Sequence, residues 1–145
     1  MRRISSAAGG LAVCAVILLA TVGCSAGQAG TRAGGTVLRV TERDFRISAP
    51  KQTRSGDVRL SVTNKGPDQH ELIVVREHGS RLPLRNDGVT VDEELLDHAT
   101  VGILEPGKPG SHRRLSLHLA PGRYVLFCNM SGHYLGGMRT TLVVG

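Results

Sequence analysis

A thiol, an imidazole and a thioether share one glycine-rich stretch, Cys128-Asn129-Met130-Ser131-Gly132-His133-Tyr134-Leu135-Gly136-Gly137-Met138. A second imidazole, His70, stands far upstream in an apolar run. A thiolate, two imidazoles and a weak axial thioether form the donor set of a blue-copper electron-transfer centre. Copper(II) takes nitrogen and thiolate donors well, and copper(I) takes soft donors at low coordination number, so Cys128, His70 and His133 suit both states, while Met138 as a long axial ligand favours copper(I). Each residue alone has a plainer reading. Cys128 could be an inert buried residue or a reactive thiol, His70 a satisfied strand histidine, and Met138 simple packing. Their joint order and spacing favour the ligand reading.

The segment Tyr124 to Val144, YVLFCNMSGHYLGGMRTTLVV, resembles the C-terminal signature of the cupredoxins, and VTNKGPDQHELIV around His70 resembles the segment carrying that family's first histidine. The Cys-x4-His-x4-Met spacing is similar to that of the rusticyanin and sulfocyanin group. The resemblance covers about the last two-thirds of the chain and is weakest between Glu77 and Leu104. It implies a Greek-key β-sandwich with a short helix in an inter-sheet connection. It also implies one type 1 copper per chain held by His70, Cys128, His133 and Met138. The apolar loop residues Met130, Tyr134 and Leu135 would form the docking and electron-exit surface. The family pattern usually has Pro where Ser131 stands and often Asn where Glu71 follows the first ligand. Those two positions bear on how the loop is held.

To position these donors the chain must supply strands, and its pattern is mostly of period two. Val37 to Val40 and Phe45 to Ile47 are short strand candidates. Asp57 to Thr63 alternates, with Val58, Leu60 and Val62 on one face. Asn64 to Asp68 is turn chemistry. His70 to Arg76 is apolar and β-branched, as for a strand buried on both faces. Leu115, Leu117 and Leu119 alternate with Ser116 and His118, and after a turn at Ala120–Arg123 the final strands run from Tyr124 to Cys128 and from Thr140 to Val144. Short strands separated by turn signals argue for a β-sandwich. In this reading Cys128 ends one strand, Met138 starts the next, and Gly132, Gly136 and Gly137 give the loop between them its unusual backbone angles. Val91 to His98 has an acidic start and an apolar centre, which predicts a short helix, and Glu105 to Gly110 reads as a loop.

The 145 residues predict one domain, residues 36–145, behind a leader. Arg2 and Arg3 precede the apolar run Leu11–Val22, too short for a comfortable membrane span, so residues 1–23 read as a signal peptide. Ala20-Thr21-Val22-Gly23-Cys24-Ser25 resembles a bacterial lipobox, with Thr21 in place of the usual Leu or Val. This makes Cys24 the lipidated residue and residues 24–35 a flexible tether. Ordinary cleavage beside Cys24, releasing a secreted or periplasmic protein, is the alternative. Cys14 leaves with the leader and Cys24 is acylated, so Cys128 has no disulfide partner in the chain.

Loss of Arg2 and Arg3 from 18 Lys+Arg, against 12 Asp+Glu, leaves a mature charge of about +4. That suits an anionic membrane surface or an acidic partner. Nucleic acid is not indicated, because aromatic residues are only 3% and no basic cluster is interleaved with them. His78, His98, His112 and His118 do not make an evident second metal site. No His-x-His pair, second domain, hydrolase elbow or P-loop is present, which argues against an enzyme. The expected function is a monomeric one-electron carrier serving a redox partner protein at the extracytoplasmic face of a bacterial membrane. The alternative is a copper chaperone or sequestration protein using the same ligands.

Overall fold

The structure, a computed structural model, describes residues 35–77, 79 and 81–145. The expected leader, the tether, Cys14, Cys24 and His78 lie outside the described residues. Among the described residues nine strands follow in chain order: β1 Thr36–Arg43, β2 Arg46–Ser48, β3 Gln52–Thr53, β4 Gly56–Asn64, β5 His70–Arg76, β6 Thr100–Gly107, β7 His112–Leu119, β8 Gly122–Phe127 and β9 Arg139–Val144. They form two sheets. One is ordered β2-β1-β4-β7 and the other β3-β9-β8-β5-β6. Among the described residues no helix is long and apolar enough to cross a membrane.

The period-two reading explains the layers. Leu38 and Val40 of β1 and Val58, Leu60 and Val62 of β4 turn one way, and meet Leu72, Val74, Leu126 and Leu142 of the facing sheet in a continuous apolar core. Strand β5 is apolar on both faces because it has two cores to serve. Leu72 and Val74 point into the sandwich, whereas Ile73 and Val75 join Leu82, Val91, Leu96, Phe127 and Tyr134 on the outer face of the five-stranded sheet. The long β5–β6 connection therefore lies over that sheet as a cover.

The expected short helix is present, and several details around it and elsewhere differ. The helix is a single 3₁₀ element, Glu94–Ala99, with Leu96 as its buried residue. Val91 is taken up instead in a bridge to Leu84. The connection holding it joins β5 to β6, neighbours in the same sheet, and so does not pass between sheets. The expected loop at Glu105 is still strand, since β6 continues to Gly107. Pro106 is tolerated there because β6 is an edge strand with one side free of ladder hydrogen bonds. Phe45, expected in a strand, is the second residue of the two-residue β1–β2 turn, with φ 57°.

Candidate metal centre

Three of the four expected donors meet at one end of the sandwich. The ligand atoms of His70, Cys128 and His133 all lie within 4.8 Å of one another. No other such grouping of histidine, cysteine and carboxylate occurs among the described residues. His70 is the first residue of β5, Cys128 follows the last residue of β8, and His133 comes from the loop between β8 and β9. Cys128 Sγ stands 3.6 Å from His133 Nδ1, and the two imidazole rings are 5.2 Å apart. His70 and Cys128 are fully buried, and His133 is half-buried.

The loop is fixed by its own backbone. The Cys128 amide donates to the Met138 carbonyl at 3.1 Å, and the Met138 amide donates to the His133 carbonyl at 2.9 Å. These bonds bring Met138, the expected fourth donor, to the Cys128 end of the loop, where its side chain is fully buried in the cluster that includes Cys128. Strand β8 stops at Phe127, one residue short of the expected Cys128, and β9 starts at Arg139, one residue before the expected Thr140, so Cys128 and Met138 flank the strands. Gly132 and Gly137 do have left-handed backbones, with φ of 79° and 104°. Gly136 does not. A side chain there would collide with the Phe45 ring, so close approach is what requires glycine at that position.

Burial governs the electrostatics. It pushes the Cys128 thiol up to about 11, above its ordinary 9.0, despite backbone amides that favour the thiolate. It lowers His70 below its ordinary value, an effect reinforced by the neighbouring His133 and opposed by Asp44. A neutral imidazole is the ligating form. Both His70 nitrogens are buried without a hydrogen-bond partner. Nε2 lies 3.0 Å from Asp44 Oδ1, off the line of a good hydrogen bond, so that contact is Coulombic. A buried imidazole with an unpartnered nitrogen costs free energy unless something binds it. That orphaned group, beside a thiol and a second imidazole, fits a soft transition-metal ion.

Further residues hold the donors, and apart from the Glu71 position sequence reasoning did not single out their roles. Glu71 accepts the amide of Asn129 at 3.0 Å, tying the first-ligand strand to the residue after Cys128. The expected departure from Asn at this position thus leaves a functioning tie. Asn129 also grips the β5–β6 connection: Oδ1 accepts the Val91 amide at 2.6 Å, and Nδ2 donates to the Val91 carbonyl at 3.0 Å and to Glu93. Buried Asn64 accepts the Gly66 amide and donates to the carbonyls of Asp68 and Gly107, which shapes the turn leading into His70. Only an Asn followed by turn residues, as in Asn64-Lys65-Gly66-Pro67, hinted at this.

The expected docking surface is corrected in part. Leu135 is exposed, but Tyr134 is buried edge-on against Phe127 with Arg139 over its ring, and Met130 packs against the core. Phe45 and Val89 are the other exposed apolar residues beside this loop. Of the remaining histidines, His98, His112 and His118 are all exposed, with His118 paired to Asp57 and His112 bonded to Thr63.

No protein-family model and no curated protein matches the chain. Solved structures do match. Dithionite-reduced auracyanin from the photosynthetic bacterium Roseiflexus castenholzii aligns with a TM-score of 0.57 at 20% identity, over 77% of this chain and 99% of that one. Auracyanin A from Chloroflexus aurantiacus, a "blue" copper protein, gives 0.56 at 14% identity over 77% and 100%. Rusticyanin from Thiobacillus ferrooxidans gives 0.56 at 14% identity over 77% and 79%. The chain has the cupredoxin fold, an all-β sandwich. At the end of that sandwich lies a buried His-Cys-His group placed to hold a metal ion.

Proposed function

We propose that this chain is a mononuclear type 1 copper protein and a monomeric one-electron carrier, with His70, Cys128, His133 and Met138 as its ligands. The observation that carries the reading is the buried His70–Cys128–His133 group with its unpartnered imidazole nitrogens, in a cupredoxin fold. When bound, copper would supply the one-electron couple. The residues would supply the rest. Cys128 and His70 exclude water by full burial. The β8–β9 loop hydrogen bonds hold Met138 beside Cys128. Half-buried His133, bordered by exposed Phe45 and Leu135, is the shortest way from the centre to a partner. The ligand set sits in an ordered sandwich, so little rearrangement would accompany electron transfer. The lipobox-like Cys24 and the glycine-rich segment after it in the sequence support a carrier that would be held at the extracytoplasmic face of a bacterial membrane, where it would serve a redox partner protein.

A copper chaperone would use the same ligands but release the metal. Film voltammetry of the copper-loaded full chain separates the two. A carrier gives a reversible one-electron wave and keeps its copper through repeated cycles beside a copper(I) chelator. Loss of copper to the chelator on the first reduction would identify a delivery protein.

A further inference from the structure

Two consecutive residues of one hairpin turn each touch one of the two histidines. The Asp44 carboxylate stands 3.0 Å from His70 Nε2. The Phe45 ring stands edge-on to His133, with centroids 5.5 Å apart. Both are seated in glycine notches. A Cβ on Gly66 would stand 2.7 Å from His70 Nε2 and 2.8 Å from Asp44 Oδ1, and one on Gly136 would collide with the Phe45 ring. Phe45 is the one non-glycine residue with positive φ among the described residues, and it remains about half exposed. A bulky side chain in that region is strained. Glycine or asparagine would close the turn more easily. Strain kept at a half-exposed phenylalanine points to what its ring touches.

We propose that the β1–β2 turn, Asp44–Phe45, is the positioning element of the metal centre, Asp44 orienting His70 and Phe45 bracing His133. The inference rests on the metal-binding reading above. A negative charge beside Nε2 favours the imidazole tautomer with its proton there, which leaves the Nδ1 lone pair free as donor. The pairing of carboxylate, histidine and metal fixes ring orientation and raises ligand basicity. The Phe45 ring packs against His133 in a T-shaped arrangement and limits how far the half-buried imidazole can swing.

Two measurements on the full chain test this. In the metal-free protein, nitrogen-detected NMR reads the His70 tautomer. Wild type carries the proton at Nε2, and Asp44→Asn shifts the population towards Nδ1. A wild-type proton at Nδ1 overturns the proposal whether or not copper binds. In the copper-loaded protein, Asp44→Asn keeps the thiolate band but weakens copper(II) binding roughly 10- to 100-fold in chelator competition. A tenfold loss confined to copper(II) raises the potential by about 59 mV. Phe45→Gly relieves the backbone strain, so thermal stability holds or rises while copper dissociates several-fold faster, and Phe45→Tyr restores the wild-type rate. Asp44→Asn and Phe45→Gly proteins that bind and release copper as wild type does overturn the proposal. A wild-type protein with no thiolate band overturns the copper reading instead.

Discussion

At the residue scale, the centre depends on side chains that reach its elements from far along the chain. Asn64 reaches Gly107, Asn129 reaches Val91, and Asp44 reaches His70. Asn64 is the strongest case, since its buried amide makes three backbone hydrogen bonds. Asn64→Ala strands the Gly107 carbonyl in the interior. The expected cost is about 2–3 kcal/mol of unfolding free energy, read by urea denaturation of the metal-free protein. A loss within experimental error of zero would mean that water replaces the amide. The donors themselves were legible in the sequence because chemistry restricts them. An imidazole, a thiol, a second imidazole and a thioether in that order leave few other uses, and the structure gathers His70, Cys128 and His133 while burying Met138 beside Cys128. The residues that hold them were not legible, because nothing local distinguishes them from ordinary turn residues.

At the element scale, alternation located β1, β4, β5 and β7 because each has an apolar face, and β5 has two. It missed β3 and β6, which are edge strands with little to bury. It also passed over Glu42, which takes an inward position in β1 after Leu38 and Val40. There it is fully buried and paired with Arg113 of β7 at 2.5 Å, while Arg113 also donates to the Glu105 carbonyl. Burial outweighs the pull of Arg113 and raises Glu42 from 4.5 to about 7. The folded state therefore holds this proton more tightly than the unfolded chain. The stabilisation is fully present below about pH 4.5 and is lost as pH rises through about 7. Other groups titrate in that window, so the contribution is read as a difference from Glu42→Gln. Between those limits wild type should lose up to about 1.4 kcal/mol per pH unit relative to the variant. Parallel stability–pH curves would show that Glu42 is ionised throughout.

At the scale of the whole molecule, one arrangement joins fold and centre. The sandwich core ends in Cys128 and Met138, and the outer core beneath the β5–β6 connection ends in Phe127 and Tyr134, which bracket the same loop. Asn129 fastens that connection to the loop, and the Gly132 amide donates to the Val89 carbonyl at 3.2 Å. Val89, Val91 and Glu93, in the stretch where resemblance is weakest, thus form the outer wall of the β8–β9 loop. The sequence of that stretch carried no signal because a cover needs only a few apolar anchors, here Leu82, Val91 and Leu96. Core and centre are built together, so the centre should form only in the folded chain. The most direct test of the central claim is a copper(II) titration of the metal-free full chain, followed by visible absorption and electron spin resonance. The account predicts an intense blue or green thiolate-to-copper band that saturates at one equivalent and is abolished by Cys128→Ser. A colourless protein, or weak copper binding that survives that substitution, would contradict it.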